Sequence, residues 1–193
     1  GWKRVLQAWS SSKDRLNKVL NIMRLFLCGV QSPINIGMML RSAEIYGAGV
    51  CIWDRYGVLN DPEKLRTISD FACGALQRSP PSVTNDWKSA LGRGRCIATD
   101  IDPDCPAHVT FSWRRTDQIL IGNEYDGIPL DILARATERV TIPMPAGHFP
   151  KPKSNSPIDP NRAGLPRASG KPSLNTAIAA SVLLSTAYAV CGV

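Results

Sequence analysis

The chain has 193 residues, of which 44% are hydrophobic and 20% are charged, as expected for one globular domain and not for a disordered chain. Its six cysteines are scattered, without a CxxC pair or a cysteine–histidine cluster, which excludes a zinc ribbon and fits reduced thiols in a cytoplasm better than a disulfide framework. The net charge of +7 is uneven, because residues 1–24 carry +5, residues 145–172 carry +4 and the remainder carries −2. This distribution fits either a polyanionic partner that binds the basic segments or charge that only keeps the chain in solution.

Hydrophobic periodicity predicts a helical first segment followed by an α/β domain. Residues 2–9 and 16–23 have apolar side chains at helical spacing, so residues 1–23 are expected to be a basic, helical N-terminal extension or a remnant of the expression vector. Over residues 24–193, short apolar strands alternate with helices, which is typical of a mostly parallel sheet with helices on both faces. The predicted strands cover residues 24–30, 50–53, 95–99, 118–121 and 139–142. The predicted helices cover residues 35–46, 61–71, 85–91, 129–134 and 174–190.

Two segments depart from the regular alternation. Residues 145–172 contain seven of the fifteen prolines and almost no apolar side chains, which predicts a long basic insertion between the last strand and the last helix. Loops of this length inside a domain are usually functional or disordered. Residues 174–190 are the most apolar run, but they are fewer than the ~20 residues of a membrane span and include several hydroxyl and amide side chains. A buried helix without membrane contact is expected, and residues 1–24 lack the continuous apolar core of a signal peptide.

Polar residues cluster where three predicted strands end, which is where ligands bind in open α/β sheets. They fall in residues 32–41, 121–129 and 172–176. The second group has two glycines at the spacing of a phosphate-binding loop, but Ile128 and Pro129 replace the Lys and Ser/Thr that such a loop needs, which argues against an NTPase. Each residue alone has an ordinary explanation as a turn glycine, a helix cap or an exposed cation. Their joint placement at three strand ends favours a binding site.

Four short motifs follow one another along the chain. They are Asn35-x-Gly37-x-x-x-Arg41, Gly122-x-Glu124-x-x-Gly127, Ile142-Pro143-Met144 and Ser173-Leu174-Asn175. This ordered set resembles the motifs of the SpoU family of RNA ribose 2′-O-methyltransferases, within the SPOUT superfamily. The resemblance covers about residues 24–189 and includes residues 69–76, which are expected as a helical stretch. The insertion at residues 145–172 departs from the family, which has only a few residues there.

The resemblance implies an α/β domain with a C-terminal trefoil knot, S-adenosylmethionine bound in the knot loops, a homodimer and no metal. It implies catalytic roles for Asn35, Arg41, Glu124, Ser173 and Asn175. It implies cofactor contacts from Thr99, Gly122, Asn123, Gly127, Ile142, Met144 and Leu174.

The implied reaction is the transfer of a methyl group to a ribose 2′-hydroxyl of RNA. Because a guanidinium is a poor base, Arg41 is expected to bind the neighbouring phosphate and stabilise the reacting oxygen, while phosphate or water takes the proton. Asn35, Glu124, Ser173 and Asn175 are expected to hold Arg41 and the cofactor loops. A tRNA is favoured over rRNA as substrate, because no separate RNA-binding domain is visible. The alternatives are a non-catalytic RNA-binding protein of the same fold and, less favoured, an enzyme that methylates a base.

Overall fold

The computed structural model describes residues 22–92, 94–144 and 173–191. The insertion predicted at residues 145–172 lies outside these ranges, and so does almost all of the extension predicted at residues 1–23. In the described part of the chain, the predicted alternation of strands and helices is confirmed.

The centre of the structure is a parallel sheet, which confirms the predicted α/β class. Over the described residues its six strands are β1 (Arg24–Cys28), β2 (Gly49–Trp53), β3 (Ser82–Thr84), β4 (Cys96–Asp100), β5 (Gln118–Ile121) and β6 (Glu138–Thr141). Their order is β3–β2–β1–β5–β4–β6, and every paired strand is parallel to its neighbour. All the carboxyl ends therefore lie at one edge of the sheet.

Helices cover both faces of the sheet, because its buried strands carry apolar side chains on both sides. One face holds α1 (Pro33–Ile45), α2 (Pro62–Ala72), α3 (Ala75–Arg78) and α6 (Thr176–Cys191). The other face holds α4 (Trp87–Leu91) and α5 (Leu130–Leu133). Along β1, Leu25 and Leu27 belong to the first core, whereas Phe26 and Cys28 belong to the second. A 3-10 turn (Val58–Asn60) connects β2 to α2.

A helix cap and a glycine position α1. The Ser32 hydroxyl accepts a hydrogen bond from the Asn35 backbone N–H at 3.3 Å, which caps the helix. A Cβ atom at Gly37 would lie 2.6 Å from the Ile68 carbonyl oxygen and 2.7 Å from the Phe71 Cβ. The backbones of α1 and α2 are therefore in direct contact at Gly37, and a larger residue would push them apart.

The predicted buried C-terminal helix is confirmed as α6, which begins at Thr176. Its Ala177, Ala180 and Ala187 are fully buried against the rest of the chain, and the Ser181 hydroxyl lies 2.7 Å from that of Ser42 on α1. These small side chains of α6 therefore pack within the chain. Among the described residues, no helix is both long and apolar enough to cross a bilayer, and all six cysteines are free thiols.

Two local expectations are wrong. Residues 69–76 are not one helical stretch, because α2 ends at Ala72 and α3 begins at Ala75. Cys73 and Gly74 between them have φ angles of 50° and 86°, the left-handed conformation that ends helices. The apolar spacing continues across this break because both helices pack on the same core. The second error is β3, which was not expected because it is a three-residue strand, with two hydroxyl side chains, that pairs with β2.

Candidate functional site

The Glu124 carboxylate joins two loops at the carboxyl edge of the sheet. Glu124 follows β5, and its two oxygens accept hydrogen bonds from the backbone N–H of Gln31 at 3.0 Å and of Ser32 at 3.1 Å, both in the loop after β1. A third bond comes from the Asn35 side-chain amide at 2.9 Å. Strands β1 and β5 are neighbours, while the helices that follow them cover opposite faces, so the two loops diverge and leave a crevice between them.

Asn175 adds the start of α6 to this network. Its Nδ2 atom donates a hydrogen bond to Asn35 Oδ1 at 3.1 Å. Its Oδ1 atom accepts bonds from the backbone N–H of Ala177 at 2.9 Å and of Ile178 at 3.3 Å, which caps α6. One amide side chain therefore both starts the helix and ties it to α1.

Asn123 and two glycines shape the loop after β5. The Asn123 side chain donates to the Gly29 carbonyl at 2.6 Å and accepts from the Tyr125 backbone N–H at 2.7 Å. Two backbone hydrogen bonds pair Asn123 with Gly127, whose φ of +71° favours glycine. A Cβ atom at Gly122 would lie 2.6 Å from the Gly127 carbonyl carbon, so the loop closes on itself only because Gly122 has no side chain.

A cavity of about 520 Å³ opens beside this network, which is within the usual range for a small-molecule site. All seven residues predicted to contact a cofactor line it: Thr99, Gly122, Asn123, Gly127, Ile142, Met144 and Leu174. Of the predicted catalytic residues, Glu124, Ser173 and Asn175 line the cavity as well. Asn35 lies behind Glu124 in the hydrogen-bond network, and Arg41 belongs to neither the cavity wall nor the hydrogen bonds described around Glu124.

The cavity also has lining residues that were not predicted. Asp100 is the last residue of β4 and Ile101 follows it, while Tyr125 and Asp126 lie between the two loop glycines. Their signal in the sequence was their position directly after an apolar strand, which is where ligands bind in such sheets. With Glu124, Asp100 and Asp126 give the cavity three carboxylates. In the described part of the chain, no three His, Cys, Asp or Glu side chains are placed so that they could hold one metal ion.

Arg41 lies on the exposed side of α1, away from the crevice. Its guanidinium donates a hydrogen bond to the Cys73 thiol at 3.3 Å. The Cys73 carbonyl accepts a bond from Arg78, which also forms two hydrogen bonds with the Glu44 carboxylate at 2.8 and 2.7 Å. These bonds from Arg78 lower the pKa of Glu44. The break between α2 and α3 thus contacts the same helix that carries Arg41.

Comparison with known proteins defines the family. The model of the SpoU rRNA Methylase family matches residues 22–149, which is more than half of the chain. The chain belongs to this family, and the resemblance predicted from the four motifs is confirmed.

Similar proteins in this family are RNA methyltransferases. The chain is 29% identical over 116 residues to a tRNA (cytidine(34)-2′-O)-methyltransferase of Ancylobacter novellus, covering 58% of this chain and 72% of that protein. It is 31% identical over 120 residues to a 23S rRNA (uridine(2479)-2′-O)-methyltransferase of Streptomyces viridochromogenes, covering 58% and 42%. It is also similar to the crystal structure of the SpoU methyltransferase AviRb from Streptomyces viridochromogenes with its cofactor AdoMet. That comparison has a TM-score of 0.62 and 26% identity, and it covers 91% of this chain and 63% of AviRb. The chain therefore spans less than two thirds of two of these three relatives.

The hydrogen bonds to Glu124 predict how its substitution affects stability. In Glu124→Gln, one side-chain oxygen becomes an amide nitrogen that faces N–H donors, so we expect the free energy of unfolding to fall by about 1–3 kcal/mol. Urea denaturation followed by circular dichroism measures this change. Asp70→Asn removes the same charge from an exposed side chain on α2 and serves as the control. An equal change in both variants would show that charge, and not the hydrogen bonds, is responsible.

Proposed function

We propose that this chain is an S-adenosylmethionine-dependent methyltransferase that acts on a ribose 2′-hydroxyl of RNA. The observation that carries the proposal is the Asn175–Asn35–Glu124 hydrogen-bond network, which borders a cavity lined by all seven residues expected to contact the cofactor. Family membership and the named activities of the relatives support it. We favour a tRNA substrate, and a non-catalytic RNA-binding protein of the same fold is the alternative.

The cavity residues fit S-adenosylmethionine. Ile142, Met144 and Leu174 offer apolar surface for a nucleobase, and the bare backbone at Gly122 lets the loop pass close to a ligand. The carboxylates in the wall favour a ligand that carries positive charge, as a sulfonium does. When bound, this cofactor supplies an activated methyl group. The chain contributes orientation, because the loops that would hold the cofactor are fixed to each other through Asn123 and Glu124.

In this proposal Arg41 binds the RNA phosphate next to the target ribose and stabilises negative charge on the reacting oxygen. A guanidinium stays protonated at physiological pH and presents several donors in one plane, which suits both tasks. Asn35, Glu124, Ser173 and Asn175 order the loops around the cofactor. Asn35 lies in the first turn of α1, and Arg41 lies further along the same helix. The network that holds Asn35 therefore also helps to fix the position of Arg41.

We further propose a homodimer formed through the exposed side of α1 and α6. Ile34, Met38 and Ile45 of α1 are exposed and recur at helical spacing on one side of the helix. On α6, Ile178 and Tyr188 are exposed as well. An exposed apolar stripe fits a self-complementary contact with a second copy of the chain, because that contact would remove the stripe from water. The same proposal includes a C-terminal trefoil knot, which rests on the family resemblance, and a cytoplasmic location, which rests on the scattered cysteines.

The cofactor proposal is tested by isothermal titration calorimetry with S-adenosylmethionine. We expect the wild-type chain to bind it and the Gly122→Ala variant to bind it at least tenfold more weakly, because the added Cβ forces the loop open. Mass spectrometry of nucleosides from RNA treated with the enzyme should then show methylated ribose. Absence of binding at millimolar cofactor would favour the non-catalytic alternative, and a methylated base would contradict the reaction class.

The role of Arg41 is tested by Arg41→Lys, which keeps the charge and loses the planar fork. We expect turnover to fall by ~10²–10³-fold, the usual scale for removing one donor that stabilises an oxyanion. Affinity for S-adenosylmethionine should hardly change, because Arg41 does not line the cavity. Unchanged turnover would remove Arg41 from the mechanism, and a loss of cofactor binding with an intact fold would contradict this division of roles.

The dimer is tested by Met38→Glu, which places a charge in the middle of the exposed α1 stripe. We expect multi-angle light scattering at micromolar concentration to show a dimer for the wild type and a monomer for the variant, because an unpaired charge is costly to bury. Arg66→Glu, on the exposed surface of α2, is the control and should stay dimeric. A monomeric wild type would overturn this part of the proposal.

A further inference from the structure

A second polar and aromatic cluster lies at the carboxyl edge of the sheet, outside the cavity. It consists of Trp53 at the end of β2 and of Arg55 and Tyr56 in the turn that follows. The Arg55 guanidinium carbon lies 5.6 Å from the Trp53 ring centroid and 5.5 Å from the Tyr56 ring centroid, which are cation–π distances. Both rings are half-buried, whereas Arg55 is exposed, so Arg55 is the member that faces solvent.

The turn that carries Arg55 is held in place by its own hydrogen bonds. The Asp54 carboxylate accepts bonds from the backbone N–H of Val58 at 2.7 Å and of Leu59 at 3.0 Å. Gly57 closes the turn with a φ of +65°. The Arg55 plane is thus supported by two rings and a fixed backbone, which lowers the entropy cost of binding a ligand against it.

This cluster is adjacent to the candidate active site. A Cβ atom at Gly29 would lie 3.4 Å from the Tyr56 ring and 3.6 Å from the Arg55 Cβ, so the turn packs directly on Gly29. The Gly29 carbonyl accepts the hydrogen bond from Asn123, which lines the cavity. Strands β2 and β5 are separated by β1, which at the usual strand spacing puts the cluster ~10 Å from the loop of Glu124.

We propose that Trp53, Arg55 and Tyr56 form a platform on which a base of single-stranded RNA stacks, beside the nucleotide whose ribose enters the active site. This inference rests on the proposed function, which identifies the neighbouring nucleotide as the one that is methylated. An exposed guanidinium backed by aromatic rings is a chemical match for an unstacked base, since RNA bases in loops bind on Arg planes and aromatic rings. The platform is sequence-tolerant, because every base has a flat face.

The platform is tested by fluorescence anisotropy with the full chain and two labelled probes. The first probe is a single-stranded 12-nucleotide RNA of mixed sequence, and the second is an abasic oligomer of the same length and charge. We expect Arg55→Ala to weaken binding of the RNA by ~5–150-fold, the range for loss of one stacked base, and to weaken the abasic oligomer little. Arg55→Lys should lose nearly as much RNA affinity while the salt dependence stays the same, because the charge remains.

A matched control and a separate readout keep the outcomes distinct. Arg135→Ala removes an exposed arginine that follows α5 and precedes β6, at the opposite edge of the sheet, and should leave both affinities close to wild type. Calorimetry with S-adenosylmethionine should give the same affinity for wild type and Arg55→Ala, so a failure of the methyltransferase proposal appears in the wild type alone. Equal losses on the two probes, or full rescue by Arg55→Lys, would show a phosphate contact and overturn the stacking platform.

Discussion

The candidate site depends on one interaction, the set of hydrogen bonds that the half-buried Glu124 carboxylate accepts from the loop after β1 and from Asn35. Strands β1 and β5 are adjacent and parallel, but the helices that follow them cover opposite faces of the sheet, so the two loops separate. A side chain that reaches across the crevice is needed to connect them. Two backbone N–H groups and one amide converge on Glu124 at 2.9–3.1 Å. Hydrogen bonds to a charged acceptor contribute more than neutral ones, about 1.5–3 kcal/mol. Glu124 therefore holds the cavity wall and the start of α1 in a fixed relation to each other.

The charge of the site fits the two ligands proposed for it, which have opposite sign. Three carboxylates, Asp100, Glu124 and Asp126, line the cavity, while the exposed cations Arg41 and Arg55 stand outside it. Such a wall attracts a cationic cofactor and repels a polyanion. RNA would therefore contact the edge of the site and its surrounding cations, and only the ribose would need to approach the cavity. The sequence divides its charge in a similar way, since two segments carry +5 and +4 and the remainder, which includes the cavity, carries −2.

Much of the fold was readable from the sequence because its signals are local. The helices expected to begin near residues 35 and 61 and the apolar strands follow from residue type and spacing, and in the structure these helices begin at Pro33 and Pro62. The strand β3 was missed because it is defined by its pairing with β2 and not by hydrophobicity. The predicted helix at residues 61–71 ends close to where α2 ends, but the continuous stretch expected over residues 69–76 fails at Cys73, because a non-glycine residue with φ of 50° is not signalled by residue type.

For the site, the motifs supplied the residues but not their connections. The four motifs identified Asn35, Glu124 and Asn175, yet nothing in their spacing shows that the Asn175 amide caps α6 and binds Asn35 at the same time. Arg41 was expected to be held by these residues, and the structure instead has its guanidinium on the Cys73 thiol. Side-chain contacts between distant segments depend on tertiary geometry, which periodicity does not contain.

The side-chain anchors also explain how the fold accommodates the insertion at residues 145–172. Met144 and Ser173, which flank it, line the same cavity, so the chain leaves and re-enters at one place. Lengthening such a connection from a few residues to 28 costs on the order of 2 kcal/mol in loop-closure entropy, because this cost grows only with the logarithm of length. The bonds of Asn175 to Asn35 and to the first N–H groups of α6 offset a cost of this size. The position of α6 is therefore held by the hydrogen bonds of Asn175 and by packing against α1.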